Sequence, residues 1–584
     1  MWYTIGVDRQ VTGYPTGLHS ETYRSLLWKH IPVSSIPFPY IFLEKNRSQW
    51  SDAGSFSFCR NENIGKLLFI GEMITSMYEL IRSICAVFQN LADMVWGFPT
   101  NVEWYARLPI IGELPLVIIF LVGTGMYFTC RLRFVQIRYF KYGLNVLLDS
   151  HAEKQGISPL ASFLLSTAMR VGPGNILGVT GAVSTGGPGA LFWMWLSAFF
   201  GMATAFVEST LSQIYKDKRG DEYVGGLPCY GRKLLGGTAI VGGALSFLYI
   251  IYALLCIPAQ GFNTLSAMVA VMQNMTGVNI GAGSLLVWGF FLLLMGITAF
   301  SIFGGLRRIT RITDILVPVM AVVYVSVVLV MVAMNIDLLP WFFYVVVTEA
   351  FRPEPVFGGA LGIALSQGIK RGLMSNEAGQ GTLSMPAAVA HAKHPCDQGI
   401  IQAIGIFLDT IVICTLTGFV LIMGQAWLKD GAAAWFELGR LEKFLASCEQ
   451  MLGSGAGFGL VTLVISVCFG IFAFTCLLGF LSFSEICARQ ISENKVFIAT
   501  VRLVNLSVLA FGMITNIAGF DLSALWNLSD FANIVMVCCN LPLLYMGYNK
   551  VQTTFEHFEH QEGRFDSDVL GEQIPVWDEI CRSK

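Results

Sequence analysis

The sequence predicts an all-α polytopic membrane protein of about 11 transmembrane helices, one leading helix and then two sets of five, each set opening on an interrupted helix. Three observations carry that expectation. Hydrophobic residues make up 54% of the 584-residue chain and charged residues only 13%, with a mean hydropathy of +0.62, outside the range of soluble domains. Apolar windows long enough to cross a bilayer recur along the chain, and Lys and Arg collect in alternate loops between them. Two of the windows contain the Gly and Pro residues that interrupt a helix. A net charge of −2 leaves no global basic field, which sets nucleic acid aside as a partner.

Taken in order, residues 1–65 are polar, rich in Ser, Asn, Tyr and Pro, and without periodicity. They are expected to be a disordered extension or sequence ahead of the true start, with Met73 or Met77 as the initiator. The first thirty residues hold no apolar signal segment, so insertion is expected to use the first span. Residues 66–112 carry Glu72, Glu79, Arg82 and Asp93 on a helix-like pattern, which suits an interfacial amphipathic helix better than a further span. The transmembrane domain, 113–549, contains windows near 113–130, 158–182, 188–214, 238–270, 282–305, 313–334, 356–374, 398–425, 457–485, 496–518 and 525–549. A tail, 550–584, follows. The cysteines within the windows (Cys130, Cys256, Cys414, Cys468, Cys476, Cys538 and Cys539) lack zinc-ligand spacing and are expected to be small buried hydrophobes.

Orientation follows from the basic residues. Arg131, Arg133, Arg138, Lys141 and Lys154 follow the first window, whereas the STGGPG loop after the second has no charge. The bias recurs at Lys216, Lys218, Arg219, Arg232 and Lys233, at Arg307, Arg308 and Arg311, at Lys370, Arg371 and Lys393, and at Arg489 and Lys495. These loops are expected to be cytoplasmic, with the N-terminus outside and the C-terminus inside.

Two windows call for a backbone break. The second reads SFLLSTAMRVGPGNILGVTGAV, where Gly172 can end one half-helix, Pro173 suits the first turn of the next, and Gly174 leaves its amide open to approach. An ordinary proline kink accounts for this segment equally well when it is taken alone. The seventh reads FGGALGIALSQGIKRGLMSNEAGQG, with Gly358, Gly359, Gly362, Gly368 and Gly372 around Ser366 and Gln367; tight helix packing is the competing explanation. The two windows open spans two to six (158–334) and seven to eleven (356–549), entering from opposite sides. That placement predicts a LeuT-type 5+5 inverted repeat with its site at the midplane between the breaks.

Long stretches, RVGPGNILGVTGAVSTGGPGALFWMWLSAFFGMATAFVESTLSQIYK, FGGLRRITRITDILVP and RGLMSNEAGQGTLSMPAAVAHAKHPCDQGIIQAIGIFLDT, closely resemble the alanine or glycine:cation symporter family over roughly residues 88–550. The family's V-G-T-G-N stands here as Val171, Gly172, Pro173, Gly174, Asn175. A family glutamine corresponds to Gln260 in IPAQGFNT. The family's F-A-F-T-T-x-L-G-W reads Phe472 to Phe480, with Cys476 in place of a second threonine and Phe480 in place of a pocket tryptophan. Met374 replaces the usual phenylalanine before S-N-E-A-G. The resemblance implies symport of a small amino acid with Na+ by alternating access, in the cell inner membrane and without an organic cofactor. Proton coupling, or an amino acid sensor on the same fold, are the alternatives.

A zwitterionic substrate needs donors for its carboxylate and acceptors for its ammonium. The amides of Gly172, Gly174 and Asn175 would meet the carboxylate, and carbonyls freed near Gly368 and Met374 the ammonium. Gln260 offers a donor and an acceptor, although it could also bridge helices; Phe480 would line the pocket. Glycine walls favour alanine or glycine. Sodium prefers oxygen, with a carbonyl near Val171 and the Thr475 hydroxyl as its ligands; Thr475 could equally bond back into its own helix. Ionisable residues inside spans are functional candidates by default: Arg170, Glu208, Asp409 and Glu485. Glu208 or Asp409 would relay a proton if the coupling ion is H+. Arg170 could pair with a carboxylate or snorkel to the inner surface. Glu377 and Asn376 are expected to latch an inner gate, and His391 and His394 to be solvated. No P-loop, metal-spaced histidine set or nucleophile elbow is present in the sequence, so no catalysis is expected.

Overall fold

The computed structural model describes residues 82–582 apart from 84–85, 109–111, 113, 149–156, 220–221, 279, 282, 353–360, 425–431, 454–455, 521 and 561–563. The extension 1–65 and the first part of the 66–112 segment lie outside these residues. Within that segment 86–97 is helical, burying Ala92 and Trp96 one turn apart while Val87 and Met94 are exposed. The architecture is all-α and polytopic, as expected.

A helix occupies every predicted window. Among the described residues, eight helices are long and apolar enough to cross a membrane: Ala190–Ile214, Ala239–Thr276, Leu285–Phe303, Arg308–Met334, Pro395–Met423, Gly457–Ile491, Lys495–Ile517 and Leu525–His560. They fall on the third to sixth and the eighth to eleventh windows. The first window is Leu116–Arg131, whose 16 residues rise about 24 Å. The other two are the interrupted helices.

In the second span the chain runs as Pro159–Arg170, leaves the helix at Val171 and Gly172, and restarts through a π-helical turn, Gly174–Gly178, into Val179–Gly186. Pro173 cannot donate a backbone hydrogen bond, and the Asn175 side chain accepts the one from Gly172 N at 2.9 Å. In the seventh span Leu361–Asn376 is unbroken, and the interruption comes after it, before Ser384–Val389. Glu377, Gly379 and Gly381 are all left-handed there, with φ of 58°, 79° and 84°. Two glycines make that cheap, whereas Glu377 does so at a steric cost. The eighth span also departs from α geometry, since Phe407–Cys414 is π-helical between Pro395–Ile406 and Thr415–Met423.

The third span is the central post, buried without interruption from Gly201 to Ile214. Small residues let its neighbours close on it. A Cβ on Gly368 would meet Ala190 O at 2.3 Å, and one on Gly399 would meet Thr210 Oγ1 at 2.3 Å. At one end of the bundle an antiparallel hairpin, β1 (Asp217–Arg219) and β2 (Glu222–Val224), pairs Lys218 with Tyr223.

Several expectations need correction. Lys370 and Arg371 do not belong to a loop: they lie within Leu361–Asn376, Arg371 buried and Lys370 partly so, and Asp530 of the last span pairs with both, at 3.1 and 3.3 Å. Of that group only Lys393 follows the seventh span. The last helix continues well past 549, to His560, and Pro575–Arg582 forms a further helix in the tail. Cys130 and Cys538 are exposed rather than buried. His394 is packed rather than solvated, its ring stacked 5.5 Å from His557, and His391 stacks on Tyr223.

Candidate functional site

The two interruptions meet. Gly174, at the restart of the second span, faces the end of the unbroken seventh-span helix, where a Cβ would lie 3.8 Å from Ser375 Cα and 3.9 Å from Met374 O. The ninth span closes the other side, with Cys476 Sγ 3.7 Å from Met169 O and close to Gly172. Gly479 makes that approach possible by leaving room for the Met169 thioether.

Asp409 is the polar centre of this junction. It is fully buried in the π-helical stretch of the eighth span. Asn175 Nδ2 donates to its Oδ1 at 2.7 Å, and the hydroxyls of Ser375 and Thr410 donate to its Oδ2 at 2.8 Å each. One carboxylate thus joins the second, seventh and eighth spans through three hydrogen bonds, the satisfaction that a buried charge requires.

Arg170 ends the first half-helix of the second span and is fully buried, so it does not snorkel. Its guanidinium donates to Gln402 O at 3.1 Å and to the Gln402 side chain, and it lies within electrostatic reach of Asp409, Glu377 and Glu208. Gly405 is required beneath it, since a Cβ there would fall 1.7 Å from Nη1. Glu208 holds the second break: Ser384 N donates to its Oε1 and Asn540 Nδ2 to its Oε2, both at 3.1 Å. The same amide donates to Gly379 O at 3.0 Å. Glu377 is buried with Oε2 unpartnered, as are Gln380 Oε1, Asn376 Nδ2 and Arg170 Nε. Glu485 is a different case, a buried carboxylate bound by Arg489 at 2.8 Å and Arg502 at 2.6 Å.

The candidate site residues can now be placed, whereas Gly358 and Gly359 of the seventh window lie outside the described residues. Gly172, Gly174, Asn175, Val171 and Met374 come together at the two breaks, but the amides are partly used: Gly172 N bonds the Asn175 side chain and Asn175 N donates to Gly172 O at 3.1 Å. Met374 Sδ accepts from Arg371 at 3.1 Å. Gly368 lies two turns from the break, inside an intact helix and against the third span, so no carbonyl is freed there. Phe480 is buried, edge-on to Tyr252 of the fourth span at 5.7 Å. Gln260 stands two turns beyond Tyr252 on that span with Oε1 unpartnered. Thr475 Oγ1 donates back to Ile471 O at 2.9 Å and lies 3.6 Å from Met320 Sδ; it is Cys476 that faces the break.

The sequence reading missed Ser375, Thr410 and Gln402, the partners that give Asp409 and Arg170 their roles. Their one signal was adjacency: Ser375 follows Met374, and Thr410 follows Asp409.

Comparison with known proteins agrees over most of the chain. Residues 103–570 match the sequence model of the sodium:alanine symporter family. A probable sodium/glutamine symporter, GlnT, of Bacillus subtilis is 35% identical over 476 residues, 81% of this chain and 92% of that protein. The amino-acid carrier protein AlsT of the same organism is 34% identical, covering 76% and 89%. The sodium/alanine symporter AgcS of Methanococcus maripaludis is 34% identical over 440 residues, 73% and 90%. Among solved structures, MhsT in complex with L-phenylalanine aligns with a TM-score of 0.47 at 14% identity, over 72% of this chain and 92% of that one.

Proposed function

The chain belongs to the sodium:alanine symporter family, a family of multi-pass membrane transporters, and from that premise we propose that it carries alanine or glycine with Na+ by alternating access, through the inner membrane and with its C-terminus in the cytoplasm. The observation that carries this reading is the meeting of two interrupted helices, Gly174 against Met374 and Ser375, around the buried Asp409. Free backbone groups at such a meeting suit a zwitterion, and the oxygens of Asp409, Ser375, Thr410 and Asn175 suit a hard cation. The Val171 carbonyl and the Thr475 hydroxyl are the other candidate ligands for Na+, weakened because that hydroxyl returns to its own helix and it is Cys476 that faces the break. Gly172, Gly174 and Asn175 would receive the substrate carboxylate, the Met374 carbonyl its ammonium, with Gln260 and Phe480 bounding the pocket.

Proton coupling is the second reading, favoured by the placement of Asp409 itself, a carboxylate that could carry H+ between the breaks. One experiment separates the two: uptake of labelled glycine, L-alanine and D-alanine into proteoliposomes with Na+ and proton gradients imposed separately. Glutamine belongs in the same assay, because one relative bears its name. Na+-driven accumulation of alanine or glycine is expected. Asp409→Asn should weaken Na+ activation by about 1 to 3 kcal/mol, the effect of altering one buried charged partner. Uptake that ignores Na+ and follows protons would give the role to the second reading.

A further inference from the structure

The inner halves of the two interrupted helices are tied together and then covered by the chain's own tail. Ile157, just ahead of the second span, and Ala390, just after the seventh, form a parallel bridge: Ile157 N donates to Val389 O at 3.3 Å and His391 N to Ile157 O at 2.9 Å. The third span holds this seam from beside it. Ala390 O accepts from Gln213 Nε2 at 3.0 Å and from Lys216 Nζ at 3.1 Å.

Lys216 is 3% exposed and, among the described residues, has no acidic partner. Its ammonium lies 4.2 Å from the ring centre of Tyr223, on β2, and 4.6 Å from that of Trp577, on the tail helix Pro575–Arg582. Burial alone pushes the ammonium down to about 7. The two ring faces and the Ala390 carbonyl oppose that shift, because both favour the charged form. Trp577 is itself 1% exposed, and its indole donates to Gln213 O at 2.8 Å. The docking continues with Tyr215 to Glu572 at 2.6 Å, a Lys218–Glu579 ion pair, and Phe565 edge-on to Trp577 at 5.4 Å.

A single ammonium therefore touches both the seam and the tail. We propose that the C-terminal tail is a latch on the inner gate and that Lys216 is the positioning residue through which its docking keeps the inner half of the seventh span closed. This rests on the transport reading and on the predicted cytoplasmic side of the tail. Opening to the cytoplasm requires Ser384–Val389 to part from the second span, and the Ala390 carbonyl cannot leave without stripping Lys216 of the one backbone acceptor it has among the described residues. Tail release and gate opening are then one event.

The test uses the full chain in detergent and in proteoliposomes, comparing Trp577→Ala, Lys216→Met and Lys216→Arg. Hydrogen exchange followed by mass spectrometry should show amides 384–391 exchanging at least tenfold faster in Trp577→Ala and Lys216→Met, with 440–452 unchanged. Lys216→Arg, which keeps a cation over both rings, should restore protection. In vesicles, Trp577→Ala should raise the exit rate several-fold while the external KM stays constant. Faster exchange confined to the tail, with 384–391 unaltered, would overturn the latch. If Trp577→Ala fails to fold, the contrast between Lys216→Met and Lys216→Arg decides in its place: equal protection in the two refutes it. Absence of alanine or glycine transport in the unaltered chain would count against the proposed function alone, since the exchange measurement does not depend on substrate.

Discussion

His394 shows how one side chain can set a condition on the stability of the fold. It caps the eighth span, its Nδ1 accepting from Cys396 N at 3.2 Å while Nε2 meets His557 Nδ1 at 3.3 Å. Burial, with His557 beside it, pushes its pKa down to about 3. An unfolded histidine titrates near 6.5. The unfolded chain therefore binds the extra proton between pH 6.5 and 3, and folded-state stability must fall as pH drops through that window. At pH 5 the loss is about 2 kcal/mol at most. Thermal unfolding of the purified protein from pH 7.5 to 5 should show it, and His394→Asn, which still caps but does not titrate, should flatten the profile. A wild-type profile already flat over this range would remove the capping role. At this scale the sequence announced the ionisable residues but not their partners. Asp409 stood out because a carboxylate inside an apolar window is conspicuous, whereas Ser375 and Gln402 look like ordinary helix residues until the spans are packed.

Among elements, the seventh span best separates what composition reveals from what it conceals. Its glycines indicated either a break or close packing, and the structure divides these roles. Gly368 and Gly372 serve packing, their hypothetical Cβ atoms falling 2.3 Å from Ala190 O and 2.4 Å from Ser197 Oγ. Gly379 and Gly381 serve the break, where φ is positive. Gly368→Ala should accordingly destabilise the protein by about 1 to 3 kcal/mol through overpacking, lowering its melting temperature and yield while leaving substrate KM in the surviving protein unchanged. A raised KM at full stability would return Gly368 to the substrate. The second span was easier to read, since a Gly-Pro-Gly run fixes its break locally. The π-helical part of the eighth span left no trace in the sequence: its extra residue per turn is set by how Asp409 meets Asn175 and Ser375, contacts that exist only after folding.

For the whole molecule, hydropathy located the long apolar helices because the lipid requirement acts residue by residue along each window. Long-range ionic pairing was not legible. Lys370 and Arg371 were counted with a loop because a basic pair normally marks one, and Asp530, which neutralises them, lies some 160 positions later in the chain. The pairing joins the first part of the seventh span, Leu361–Asn376, to the last span, while Glu485 with Arg489 and Arg502 joins the ninth to the tenth. The first of these pairings links helices remote in sequence, the second links consecutive ones.

The parallel bridge between Ile157 and Ala390 bears on leakage. Because the two half-helices that meet there are sewn to each other by backbone hydrogen bonds, neither can move away from the other while the seam holds, so parting them has to break the seam itself. Coupling fidelity, the absence of ion flow without substrate, would then depend on a seam that touches neither ion nor substrate. Ile157→Pro removes the donor to Val389 O and should allow measurable Na+ flux into vesicles without amino acid, at least severalfold above the unaltered chain, while substrate affinity is retained. If the flux without amino acid does not rise, the two leaves are kept in step by something other than their seam.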